Sequence, residues 1–196
     1  MKTTKEIKEI ENNVKMYQQE ELFKTGDFNF LTAFYLGNAK KSLSTAEILL
    51  KISEDSQLKK ACKLADDFET YLWAITASYY SMFYAVNALF SKNKIKIGDK
   101  IAHKVASDVF YFYFIQNNKI AKKLFEIYEE AKDQALDLTA TKYPEHAEKL
   151  SENLEFERGK RHKFQYNMTE TIKRSYAQTS LNRAIEFVNQ MEILIK

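Results

Sequence analysis

One proline and four glycines in 196 residues leave too few turn-formers for the many tight corners of an all-β fold. A single cysteine, Cys62, rules out an internal disulfide and reads as a small residue on a helix or loop. The opening MKTTKEIKEI lacks the apolar core of a signal peptide, so a reducing, cytoplasmic setting is expected. Gly-rich phosphate loops and cysteine metal sites are missing too, and His103, His146 and His162 stand far apart in sequence. Neither a metal site nor a cofactor is expected. Charge of one sign is also scarce: thirty Lys and Arg against twenty-seven Asp and Glu give +3, so any basic surface must be local.

What is abundant is helix-forming and apolar. Lys, Glu, Ala, Leu and Ile dominate, and 45% apolar residues can fill one continuous core, which predicts an all-α fold. The stretch 68–90, FETYLWAITASYYSMFYAVNALF, organises the rest. Leu72, Ile75, Tyr79, Met82, Val86 and Leu89 recur at steps of three and four, one face of an α-helix. Trp73, Ala77, Tyr80, Tyr84 and Ala88 form a second row beside it, which predicts a helix buried on several sides. Thr76, Ser78, Ser81 and Asn87 are small enough to bond backbone carbonyls or a neighbouring helix when enclosed. The run is too polar for a membrane span, which needs about 20 mainly apolar residues, and no membrane association is expected.

Along the chain, residues 4–23 carry Ile7, Ile10, Val14 and Tyr17 as a narrow amphipathic stripe. Residues 24–27 read as a break, with Gly26 closing one helix and Asp27 capping the next. A second helix over about 29–52 has Leu36, Ala39, Leu43, Ala46 and Leu50 as its seam, and 53–64 reads as a polar connection. Residues 91–100, SKNKIKIGDK, read as a polar and basic loop. The five aromatics and neighbours of 110–114 also suit a strand, but with no other strand to pair with, 101–115 is read as helix. Ile120, Leu124, Ile127, Ala131, Ala135 and Leu138 define another helix, which should stop or kink before Pro144, and 145–156 should resume helically. The last helix, 171–195, has Ala177, Leu181, Ala184, Val188, Met191 and Ile195 as its seam.

Chemistry concentrates in RGKRHKFQY, residues 158–166. Arg158, Lys160, Arg161 and Lys163 surround His162 and are followed by Phe164 and Tyr166, a mixture able to hold a phosphate and stack a base. The alternative is a basic turn before the final helix, exposed because four cations cannot be buried together without partners. His103, beside Lys100 and Lys104, could cap a turn, contact a phosphate or pack. His146 and the pairs Asp66-Asp67 and Glu129-Glu130 read as solvated surface charge.

SYYSMFYAVNALF, then IAHK, then an Arg-rich segment before a final amphipathic helix, together resemble the HEPN domain. The resemblance is closest to the stand-alone prokaryotic HEPN proteins, with their Tyr-Tyr-x-Met-Phe-x-Ala-x-x-Ala-Leu helix. It spans residues 36–196 and leaves 1–35 as an N-terminal helical extension. It implies an antiparallel up-and-down bundle of about five core helices that pairs into a homodimer. It also implies a nucleotide- or RNA-binding role beside a nucleotidyltransferase partner, in a toxin–antitoxin-like, stress or defence system. Many HEPN domains are metal-independent RNases whose histidine takes a proton from a ribose hydroxyl while an arginine holds the phosphate, with about four to six residues between the two. Here Arg158 and His162 have three residues between them, whereas Arg161, with four, meets Tyr166. The second registration follows the Arg-x-x-Ala-Asp-Tyr pattern of the stand-alone proteins at its Arg and Tyr, and is preferred. A tyrosine of pKa near 10 is a poor base at neutral pH. Three classes therefore stay open: a binding module contacting ligand through Arg158, Lys160, Arg161, Lys163, Tyr166 and His103; an RNase using His162 with Arg158 or Arg161; and a non-catalytic structural dimer.

Overall fold

The computed structural model describes residues 2–139 and 170–196. Thr3 opens the first helix, α1 (Thr4–Gln19), through a capping box: its hydroxyl accepts from the Glu6 amide while the Glu6 carboxylate accepts from the Thr3 amide. Then follow α2 (Thr32–Glu54), α3 (Ser56–Ala61), α4 (Tyr71–Lys92), α5 (Ala102–Phe110), α6 (Lys122–Thr139) and α7 (Glu170–Ile195). The fold is an all-α helical bundle, as composition predicts.

It carries one small sheet among the described residues. Phe23–Thr25 (β1) pairs antiparallel with Ile95–Ile97 (β2), in the register Phe23↔Ile97, Lys24↔Lys96, Thr25↔Ile95. Three sequence expectations change as a result. The first helix stops at Gln19, and Phe23–Thr25 is strand, not the tail of a helix or a break. The expected loop at 91–100 holds the partner strand, whose Ile95 and Ile97 point inward while Lys96 points out. The connection 53–64 contains a short helix, α3, capped by the Asp55 carboxylate at 2.9 and 3.0 Å from two amides.

Two compact units divide the chain. The first comprises Met1–Lys40, Ser81–Glu129 and Glu186–Lys196, and the second Lys41–Tyr80 and Glu130–Ile185. Residues preceding Leu36 thus belong to the first unit, where α1 packs against α5 and buries Ile10, Val14 and Tyr17. Aromatic rings form the core there. The Phe110 centroid lies 5.7 Å from Tyr128, 5.9 Å from Phe125, 6.1 Å from Phe114 and 6.4 Å from Phe90. Burying one such ring contributes about 1.5–3 kcal/mol.

After Phe110 the helix widens into a π-turn over Tyr111–Ile115, with the Gln116 amide donating to the Tyr111 carbonyl at 2.9 Å. The ambiguity of the aromatic run therefore resolves as helix. Phe110, Tyr111, Phe114 and Ile115 all face inward, leaving Phe112 and Tyr113 half-buried.

In the second unit, Ala46 and Leu50 of α2 pack with Tyr71, Ala74 and Ile75 of α4 and Ala177 and Leu181 of α7. Polar bonds tie the start of α4 to α2: the Thr70 hydroxyl donates to the Leu49 carbonyl at 2.7 Å, and the Thr70 amide donates to the Ser53 hydroxyl at 2.8 Å. Within α4, Thr76, Ser78 and Asn87 donate to the carbonyls four residues back, as their size predicts. The second apolar row is less enclosed than expected. Ala88 is buried, Ala77, Tyr80 and Tyr84 are half-buried, and Trp73 keeps 48% exposure.

Candidate nucleic-acid interface

Arg158, Lys160, Arg161, His162, Lys163 and Tyr166 lie outside the described residues, as does His146. Of the residues singled out for ligand contact, His103 alone is described. It occupies the first turn of α5, half-buried, its ring centroid 4.5 Å from that of Phe83 on α4. Packing on an aromatic is thus one role the structure assigns it.

The chemistry sequence reasoning passes over lies just before it. Lys92 ends α4, Lys94 turns the chain in a left-handed conformation (φ 62), Lys96 points outward from β2, and Lys100 and Lys104 flank the start of α5. All five are exposed, and among the described residues none is within ion-pair distance of a carboxylate. Asp99 is the one acidic residue in the stretch 92–104. The signal is present in KNKIKIGDKIAHK, but reading it as loop gives no reason to keep its cations together.

The sheet has to manage this charge, because Lys24 and Lys96 sit directly opposite one another and like charges in that position repel. Both find a partner in the chain around β1. Lys24 pairs with Glu21 at 2.8 Å, and the Lys96 ammonium lies 6.0 Å from the Phe28 ring centroid. Lys96 lies exposed, and among the described residues no carboxylate is within ion-pair distance of it.

Phe28 belongs to a stretch running alongside the lysines. The Gly26 amide donates to the Lys94 carbonyl at 2.9 Å, and a 3-10 turn, Asn29–Leu31, leads into α2. Tyr35 is held there, its hydroxyl pKa raised by burial first and then by the Asp99 carboxylate and Tyr84. Its ring meets that of Phe34 edge-on at 5.4 Å. Phe34 itself is exposed, as is Phe30 one turn earlier.

A concavity of about 130 Å³ lies in the other unit between α6 and α7, lined by residues that include Glu130, Gln134, Ser175, Thr179, Ser180 and Arg183. Arg183 and Glu130 neutralise each other there at 2.8 Å, so it offers no net charge to a phosphate. Among the described residues no group of three or more His, Cys, Asp or Glu side chains gathers as metal ligands, and no helix is long and apolar enough to cross a membrane.

Fold and geometry define an all-α helical bundle with a local surface of lysines that meet no carboxylate among the described residues. Comparison with family models, with curated proteins and with solved structures finds no match to the chain.

Proposed function

We propose that this chain is a HEPN-type, nucleotide- or RNA-binding helical protein, acting as a homodimer beside a nucleotidyltransferase partner in a toxin–antitoxin-like or defence setting. The observation that supports ligand binding is the set of five exposed, unpaired lysines around β2 and the start of α5. Such a surface attracts polyanions, and the affinity it supplies is electrostatic and sequence-independent. The partner and the dimer are supported by the resemblance carried by the residues of α4 and the IAHK that opens α5.

Fluorescence anisotropy with a labelled RNA tests the reading. If five phosphates are neutralised, raising salt from about 50 to about 200 mM should weaken binding on the order of a hundredfold, and Lys100→Ala with Lys104→Ala should lower the log–log salt slope by about 1.4. No binding at low salt would reject RNA as the ligand and leave a structural dimer. Cleavage of RNA by the purified protein, abolished by His162→Ala in a folded variant, would replace the binding role with that of an RNase.

A further inference from the structure

Resting on the polyanion-binding reading above, we infer that Phe30, Phe34 and Ile101 make the lysine surface selective for single-stranded nucleic acid, by stacking unpaired bases beside the phosphates that the lysines hold. Exposed apolar side chains are ordinary when scattered singly. Phe30, 74% exposed, and Phe34, 59% exposed, stand one turn apart, and Ile101, 55% exposed, directly follows Lys100; all three lie in the compact unit that carries the lysines. Phe30 and Phe34 are four residues apart across the 3-10 turn and the first turn of α2, which puts both on one side of that segment. The segment is fastened to the lysine stretch at two points: the Gly26 amide donates to the Lys94 carbonyl, and the Phe28 ring lies beside the Lys96 ammonium.

Ile101 adds an independent sign. It sits at φ 43, ψ 34, a left-handed conformation costly for a β-branched residue, and its side chain caps no helix amide. Strained residues held at a surface cluster where a ligand is met. A duplex offers this surface its phosphates only, since its bases are stacked on one another. An unpaired strand also offers base faces, and every base has one, so rings stack them without reading sequence.

Charge argues against the other occupants. A second copy docked through the same face would bring its own five lysines against these, like against like. A lipid surface would take the lysines, but Asp27 and Asn29, both exposed, flank the rings and leave no continuous apolar face to sink into it.

The test measures anisotropy of a labelled single-stranded RNA and of its blunt duplex of equal length, with the full chain and with Phe30→Ala/Phe34→Ala. Both rings are more than half exposed, so melting should show the variant folded. The single strand should bind more tightly, and the double variant should lose at least about tenfold for the single strand, little for the duplex, and none of the salt slope. Phe30→Tyr/Phe34→Tyr, which keeps the rings, should restore binding. Equal loss on both substrates, or no loss while Lys100→Ala/Lys104→Ala still weakens binding, overturns the stacking role and leaves polyanion binding standing. Binding of neither RNA overturns both. Conversion of a dimer to a monomer by the alanine pair, or capture by phosphatidylserine vesicles in preference to single-stranded RNA, assigns the rings to another surface and overturns the inference.

Discussion

Tyr17 is fully buried in α1, and its hydroxyl donates to the Asp108 carboxylate on α5 at 3.0 Å, beside a second bond at 3.0 Å from the Asn13 amide group. Burial first, and then that carboxylate, raise the Tyr17 pKa well above its usual value. Tyr17→Phe removes one partner of a bond to a carboxylate, so denaturant unfolding should show a loss of about 1.5–3 kcal/mol. The loss should depend on pH in one direction. Because the hydroxyl ionises at lower pH in the unfolded chain than in the folded one, its contribution is complete below about pH 10 and fades as pH climbs further, and the gap between the two proteins should narrow there. The inward position of Tyr17 is legible from its place in a stripe with Ile10 and Val14. Its partner is not, since periodicity describes one helix at a time and Asp108 lies on another. Trp73 shows the opposite limit. Placing it in an apolar row says which side of α4 it occupies, but not whether a neighbouring element covers that side.

At the scale of elements, α7 is the best forecast. All six residues of its expected seam are buried, because a long helix repeats its pattern often enough to leave one solution. Three-residue strands repeat nothing. Ile95-Lys96-Ile97 does alternate, but a strand is recognised only with its partner, and that partner is another unassigned triplet, Phe23–Thr25. The π-turn is equally silent, since one extra residue in a run of aromatics leaves the apolar pattern unbroken. The start of α5 yields a prediction of its own. Ile101→Gly removes left-handed strain of about 1–2 kcal/mol, part of which is offset by glycine's greater freedom when unfolded, so stability should rise by about 1 kcal/mol in urea. Under the stacking proposal the same change weakens binding of single-stranded RNA, and a stabilised variant that binds as well as the parent would remove Ile101 from the surface.

For the whole molecule, a balance of +3 hides a stretch in which five of six charged side chains, leaving His103 aside, are cationic. Net charge is a poor guide to what one face attracts. The proposed homodimer should appear in light scattering at micromolar concentration as twice the 23.0 kDa chain mass, and a stable monomer would remove it. The basic segment 158–166, from which the sequence argues its site, and the lysine surface of residues 92–104 are separate stretches of chain. The two compact units have a different bearing. The chain passes from one to the other four times, and each crossing falls inside a helix: α2, α4, α6 and α7 each supply both. Neither unit is a contiguous stretch of gene. Recombination could not shuffle one into another protein, and a truncation meant to isolate either would have to cut through four helices, so this architecture can be duplicated or fused only as a whole.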